Sequence, residues 1–265
     1  GSQNTAVGTI SLASETTGSS NTAIGYASLT DLNGGSNNSA LGCTAGFEMT
    51  TGSNNVAVGS NALRNETTGA NNTAIGSAAL FTQNGAAENV GVGAGAGQSL
   101  TTGSQNTALG RQALANETTG SANVAVGYFA LVSQDGGADN TAIGWAAGNV
   151  LTTGSQNTML GKNALKAETT GTGNTALGYH ALINQNTVNY NTAIGHNAGA
   201  AITTGNSNTI VGGGALDQET TGSRNTAVGY AALSSQLGAN NNTAIGESAA
   251  RDLSTGSENT VLGAV

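Results

Sequence analysis

The chain repeats itself every 17 residues without an insertion or deletion. Asn stands at 4, 21, 38 and 55 and returns at that spacing to Asn259, sixteen times in all, and each Asn is followed four residues later by Gly, from Gly8 to Gly263. An unbroken period of this length belongs to stacked-repeat architectures, so chain length does not measure domain count. Residues 1–265 are expected to form one repetitive domain, and because they open and close in mid-repeat, a fragment of a longer fibre.

With the Asn as position 1, position 2 is Thr, Val or Ser, position 3 is mostly Ala, position 4 is always Val, Ile or Leu, and position 8 is Ala or Ser. A slower rhythm lies on top. Position 9 runs Leu, Leu, Gly from Leu12 to Leu233, and the last coil has Ala250. Where position 9 is Gly or Ala, position 12 is aliphatic (Met49, Leu100, Leu151, Ile202, Leu253); the first coil of each triplet carries Glu there (Glu15, Glu66, Glu117, Glu168, Glu219). The larger unit is therefore 51 residues, three coils long.

Gly is abundant at 42 residues, and the apolar spacing is not that of a helix. Aliphatic residues return at fixed places, which is not a disordered composition. Alternation across Asn-Thr-Ala-Ile-Gly has period two and sets positions 2 and 4 on one face, 1, 3 and 5 on the other. Turn sequences such as TTGS and NGGS separate the runs. The expected fold is all-β, a parallel β-solenoid or β-roll of about 15 coils of 17 residues. Each coil is expected to hold a strand at positions 1–4, a turn at 5–7, a second strand at 8–12 and a return turn. At about 4.8 Å per coil the rod would be roughly 70 Å long. A five-bladed propeller of 51-residue blocks is the competing fold, disfavoured because the 17-residue units are too uniform for strands at different depths of a blade. Each coil offers about two large aliphatic side chains, a thin core against the entropy of ordering the rest. One face is therefore expected to fill the lumen and the smooth Asn/Ala/Gly face to pack on partner subunits.

SNTAIG at 20–25, NNSALG at 37–42 and NNTAIG at 71–76 and 241–246 resemble the repeat of YadA-like trimeric autotransporter adhesin heads. The longer pattern, NTAxGxxAL followed by ETTG, is similar to repeats of bacterial surface fibres and phage tail fibres. The resemblance covers essentially the whole chain. It implies a left-handed β-roll, a homotrimer about one axis, and work in attachment on a cell surface or virion, outside the cell. The adhesin-head repeat is typically shorter than 17 residues.

The Asn column, including Asn72, Asn106, Asn123, Asn140 and Asn174, reads as a structural ladder of side-chain amides bonded from coil to coil. The Glu column recurs only every third coil and reads as solvated charge. The Thr-Thr-Gly turns suggest an ice-binding array only weakly, because adjacent Thr side chains diverge and every third coil lacks the pair. Position 6 is the most variable and should project outward; Tyr26, Tyr128, Trp145, Tyr179 and Tyr230 there are the candidates for ligand contact. His180 and His196 fall at different positions, a poor metal pair, and no cofactor is expected.

The net charge of −8 argues against nucleic acid as a partner. No apolar run is long enough for a membrane span, and the single Cys43 cannot form an internal disulfide. No convergent set of carboxylates, nucleophile and base departs from the repeat, so an enzyme is not expected. GVGAGAG at 91–97 is one more copy of the repeat register and not a nucleotide loop. The expected function is a structural and adhesive shaft of a trimeric fibre that attaches to a host or surface. A glycan-binding module using the turn aromatics is the alternative, with a host-surface glycan or protein as the partner.

Overall fold

The computed structural model describes residues 1–264. It is all-β, with three-residue strands at 17-residue steps, and falls into two compact units. Unit 1, Gly1–Gly137, holds β1 (Thr5–Val7) to β8 (Val124–Val126); unit 2, from Ala138 onward, holds β9 (Thr141–Ile143) to β16 (Thr260–Leu262). Within each unit every strand pairs in parallel with the next at zero offset: Thr5 with Thr22, Ala6 with Ala23, Val7 with Ile24, and likewise Thr141, Ala142 and Ile143 with Thr158, Met159 and Leu160. Each unit is a parallel β-solenoid, and the propeller is excluded.

The glycine at position 5 ends each strand because no other residue fits. Gly110 has φ +134°, and an added Cβ would lie 2.6 Å from the Gly127 carbonyl oxygen in the coil above. The missing side chain lets the coils approach this closely.

The expected second strand at positions 8–12 is absent. Positions 6–12 form a chain of turns in which positions 7 and 9 are left-handed, as at Ala27 (φ 52°) and Leu29 (φ 48°). Coil-to-coil bonding persists there in a different form: Ala27 N–H donates down to Thr9 O at 3.0 Å and Leu29 N–H donates up to Ala45 O at 3.0 Å. A left-handed Leu costs roughly 1–2 kcal/mol, but burying its side chain returns roughly 1.5–3 kcal/mol, enough to hold the shape. It also explains how neighbours such as Ala62 and Leu63 both point inward, which no strand allows.

The faces of β1–β16 are the reverse of the expected ones. Position 3 is inside: Ala125 and Ala142 are fully buried within the chain itself, as are the position-1 Asn residues from Asn21 to Asn242. The position-4 aliphatics stand outside, with Leu41 48% and Ile75 40% exposed. The Ala face therefore does not pack on partner subunits. The lumen is narrow and already holds Leu from position 9 and a long side chain from position 12, so position 3 is mostly Ala; the larger Met159 and Ile210 are buried there in the coils that follow Gly148 and Gly199.

The three-coil rhythm is a packing device. Gly97 leaves room that Leu80, one coil below, fills; a Cβ on Gly97 would sit 2.7 Å from Leu80 Cδ2. Gly46 and Leu29 repeat the arrangement at the same distance. The coil that gives up its Leu at position 9 buries Met49 or Leu100 at position 12 instead.

Candidate functional site

The conspicuous polar residues are divided between the lumen and the turn at position 6. In the lumen, Asn72 Oδ1 accepts the backbone N–H of Asn89 at 2.9 Å, while its Nδ2 donates to Ala86 O at 2.9 Å. The first bond ties one coil to the next; the second closes the coil on its own last turn. Asn106 Nδ2 reaches Gly120 O (2.9 Å), Asn123 Gly137 O (2.9 Å), Asn140 Gly154 O (2.8 Å) and Asn174 Val188 O (2.7 Å). The expected ladder is present, but its main rung runs from amide oxygen to backbone N–H. Amide-to-amide bonds accompany it in some coils, as from Asn38 Nδ2 to Asn21 Oδ1 at 3.1 Å.

The Glu column is not solvated. Glu66, Glu117, Glu168 and Glu219 are fully buried. Glu219 Oε1 accepts the backbone N–H groups of Thr220 (2.8 Å), Thr221 (2.9 Å), Gly222 (2.6 Å) and Gly238 (2.8 Å), and its Oε2 accepts Gln236 Nε2 at 3.0 Å. Burial alone would raise the Glu219 pKa, but the bonds from Gly222, Gln236, Gly238 and Thr221 outweigh it and hold the carboxyl below its ordinary value. The residue that sequence reasoning missed is this Gln, at position 12 one coil after each buried Glu. Gln83 and Gln185 serve Glu66 and Glu168 in the same way, at 2.9 and 3.1 Å. Gln134 turns its amide to Gly137 O instead (2.7 Å), and Glu117 Oε2 is left without a partner. In the first block Leu32 replaces the Gln, and Glu15 is the one of the five that is only half-buried.

The Thr hydroxyls at the return turn are engaged between coils. Thr101 Oγ1 donates to Thr118 O at 2.8 Å, and Thr169 Oγ1 to Asn186 Oδ1 at 2.7 Å. These are the first Thr of each pair; the second, such as Thr68, Thr102 and Thr119, stands exposed.

The turn aromatics are separated into distinct settings. Tyr26 is 57% exposed in unit 1. Tyr128 is half-buried; it packs on Phe129 (ring centres 4.0 Å apart) and lies under Arg111, whose Nη1 donates to its hydroxyl at 3.3 Å. In unit 2, Trp145 and Tyr179 are 46% and 42% exposed, and Lys162, one coil between them, holds its Nζ 5.3 Å from the Trp145 ring centre and 5.9 Å from that of Tyr179. Tyr179 stacks on His180 at 3.7 Å and on His196 at 5.3 Å. Asn163 Nδ2 and His180 Nε2 are 3.1 Å apart. Burial first, then the charges of Lys162, His196 and Lys166, hold His180 below the ordinary imidazole value.

Tyr230 stands apart from that column. It borders a polar pocket of about 310 Å³ with Asp217, Ser234, Ser248 and Arg251. Burial pushes the Asp217 carboxyl up, against the pull of its own backbone N–H, and Oδ1 has no partner. His180 and His196 meet through Tyr179, and no group of three or more metal-ligating side chains occurs among the described residues. No helix among them is long and apolar enough to cross a membrane. Neither a protein-family model nor a curated protein matches the chain.

Proposed function

We propose that the chain is a structural and adhesive shaft segment of a trimeric extracellular or virion fibre, carrying a tip that attaches to a host or surface. The observation that supports this reading is the position-4 column. Strand after strand, a Val, Ile or Leu stands on the outer face of the sheet, among them Ile24, Leu41, Ile75 and Leu109 in unit 1 and Ile143, Leu160, Leu177 and Ile194 in unit 2. A row of exposed aliphatics in register is a contiguous apolar strip, and soluble chains cover such strips. Because the strip repeats at the coil spacing, the surface that matches it in length and period is the same strip on another copy. The number three rests on the resemblance to adhesin heads.

The reading is non-catalytic. The Glu residues that recur in register are buried in the lumen and bonded to backbone N–H groups, as Glu219 is. The test is the mass of the folded species by light scattering. A trimer has three times the 25.6 kDa of the chain. Ile75→Lys with Leu109→Lys should reduce it to one chain; a monomeric unmodified protein sinks the proposal.

A further inference from the structure

We infer that the outer turn of unit 2 between Trp145 and His196 is a binding site for a linear acidic polysaccharide, read through the edges of a stacked side-chain column. This goes beyond the shaft reading and does not depend on it.

The first observation is charge. The chain carries −8 overall, yet between Asp139 and Asp217 its only carboxylate is Glu168, which is fully buried and bonded to backbone. The same stretch holds both lysines, Lys162 and Lys166, and both histidines. An isolated cationic surface on an anionic molecule attracts anions locally while the rest repels them.

The second observation is order. Trp145, Lys162, Tyr179 and His196 occupy position 6 of four consecutive coils, so their tips recur at the coil spacing. Lys162 is fixed between two aromatic rings, and Tyr179 is fixed by His180 and His196. A Lys held this way has lost much of the rotamer freedom that normally weakens surface ion pairs.

The third is which parts of the rings remain open. Tyr179 is stacked on His180 and His196 and has the Lys162 ammonium over its ring from the coil below, so it offers no platform for a nucleobase, and single-stranded nucleic acid needs such platforms. What this turn offers a ligand is a line of donors beside the Trp145 ring: the Lys162 ammonium, the Tyr179 hydroxyl and the His196 imidazole. A periodic row of donors with a cation in it suits a polymer that presents carboxylate and hydroxyl oxygens at regular intervals along an extended chain. Uronate-containing polysaccharides have that chemistry.

The test is affinity electrophoresis of the full chain at low salt through gels containing polygalacturonate, a neutral linear glucan, or oligo-dT. Retardation by polygalacturonate alone, diminishing as salt is added, is expected. Lys162→Gln should weaken it about tenfold, the effect of one lost charge-assisted hydrogen bond. Lys162→Arg should restore it, and Arg111→Gln, on the corresponding turn of unit 1, should leave it unchanged. Circular dichroism melts of the variants guard against misfolding. Equal retention by the neutral glucan, tighter retention by oligo-dT, no retention at all, or indifference to Lys162→Gln would each overturn the inference.

Discussion

Gly97 and Leu80 compete for one volume. Gly97→Ala places a methyl 2.7 Å from Leu80 Cδ2 on a backbone at φ +58°, so it should destabilise unit 1 by about 1–3 kcal/mol. With Leu80→Ala already present the clash disappears and the added cost should fall to about 1 kcal/mol, the left-handed strain alone. Denaturant melts of the four variants give the coupling; strict additivity would mean that the two residues do not share space. Glu219 makes a second prediction. Its carboxyl is held below the ordinary value in the folded chain, so folding favours the ionised form. That contribution is complete above the ordinary carboxylate pKa of about 4.3 and disappears as pH falls through the lower folded value. The melting temperature should accordingly drop on acidification below about pH 4. Glu219→Gln should melt lower at pH 7, by about 3 kcal/mol, because an amide turns a donor toward groups that all donate. It should also lose part of the acid dependence; an unchanged pH profile would show that Glu219 does not carry it.

At the scale of the coil, the repeat unit for packing is 51 residues. Removing residues 72–122 joins coils of the same kind and should cost little. Removing 72–88 sets Leu63 directly below Gly97, which is tolerable, but takes from Glu66 both Gln83 Nε2 and the Gly85 N–H and leaves Leu100 facing it. A buried carboxylate that keeps only the Thr68 and Gly69 N–H groups of its own turn should make this deletion less stable by about 3 kcal/mol. Removing 72–79 breaks the register and should prevent folding there. Equal melting of the two longer deletions would show that the triplet has no packing role. The register, the strand positions and the Asn ladder were legible in the sequence because each depends only on spacing. The inward face was not: alternation groups Asn4, Ala6 and Gly8 together but does not tell which group is inside, and the lumen is too narrow for the larger set. The missing second strand left one clue, since Ala62-Leu63 and its equivalents place two apolar residues side by side where a strand would alternate. Burial of the Glu column could have been read from Gln83, Gln185 and Gln236 one coil on. Among the site candidates, variability at position 6 located the aromatics, but the pairing of Lys162 with Trp145 and Tyr179 depends on coil stacking that no single repeat reveals.

At the scale of the molecule, the two faces of the sheet should respond oppositely to charge. Ile75→Lys with Leu109→Lys alters the outer strip and should lower the mass in solution while leaving each coil intact. Ala125→Glu puts a carboxylate into the closed lumen, where Ala125 has no exposure, and should unfold its coil at a cost of about 3 kcal/mol or more. Light scattering and thermal melting measured together separate these outcomes. If Ala125→Glu dissociated the assembly with its melting unchanged, the assignment of the faces would be inverted.

The left-handed residues also have a chiroptical consequence. In most coils positions 7, 9 and 17 have φ near +50° to +60° and the glycine at position 5 lies near +135°, so they outnumber the three residues in the strand. Peptide groups in left-handed segments contribute to circular dichroism with the sign opposite to right-handed ones and should offset part of the signal of the right-handed turn residues. The far-ultraviolet spectrum should therefore be weak, with neither helical minima nor a full β-sheet band, and would be misread as that of an unstructured chain. Fluorescence of Trp145, the single tryptophan, should nevertheless report one sharp transition on heating. A faint spectrum that melts cooperatively is what a backbone of mixed handedness, ordered throughout, should give.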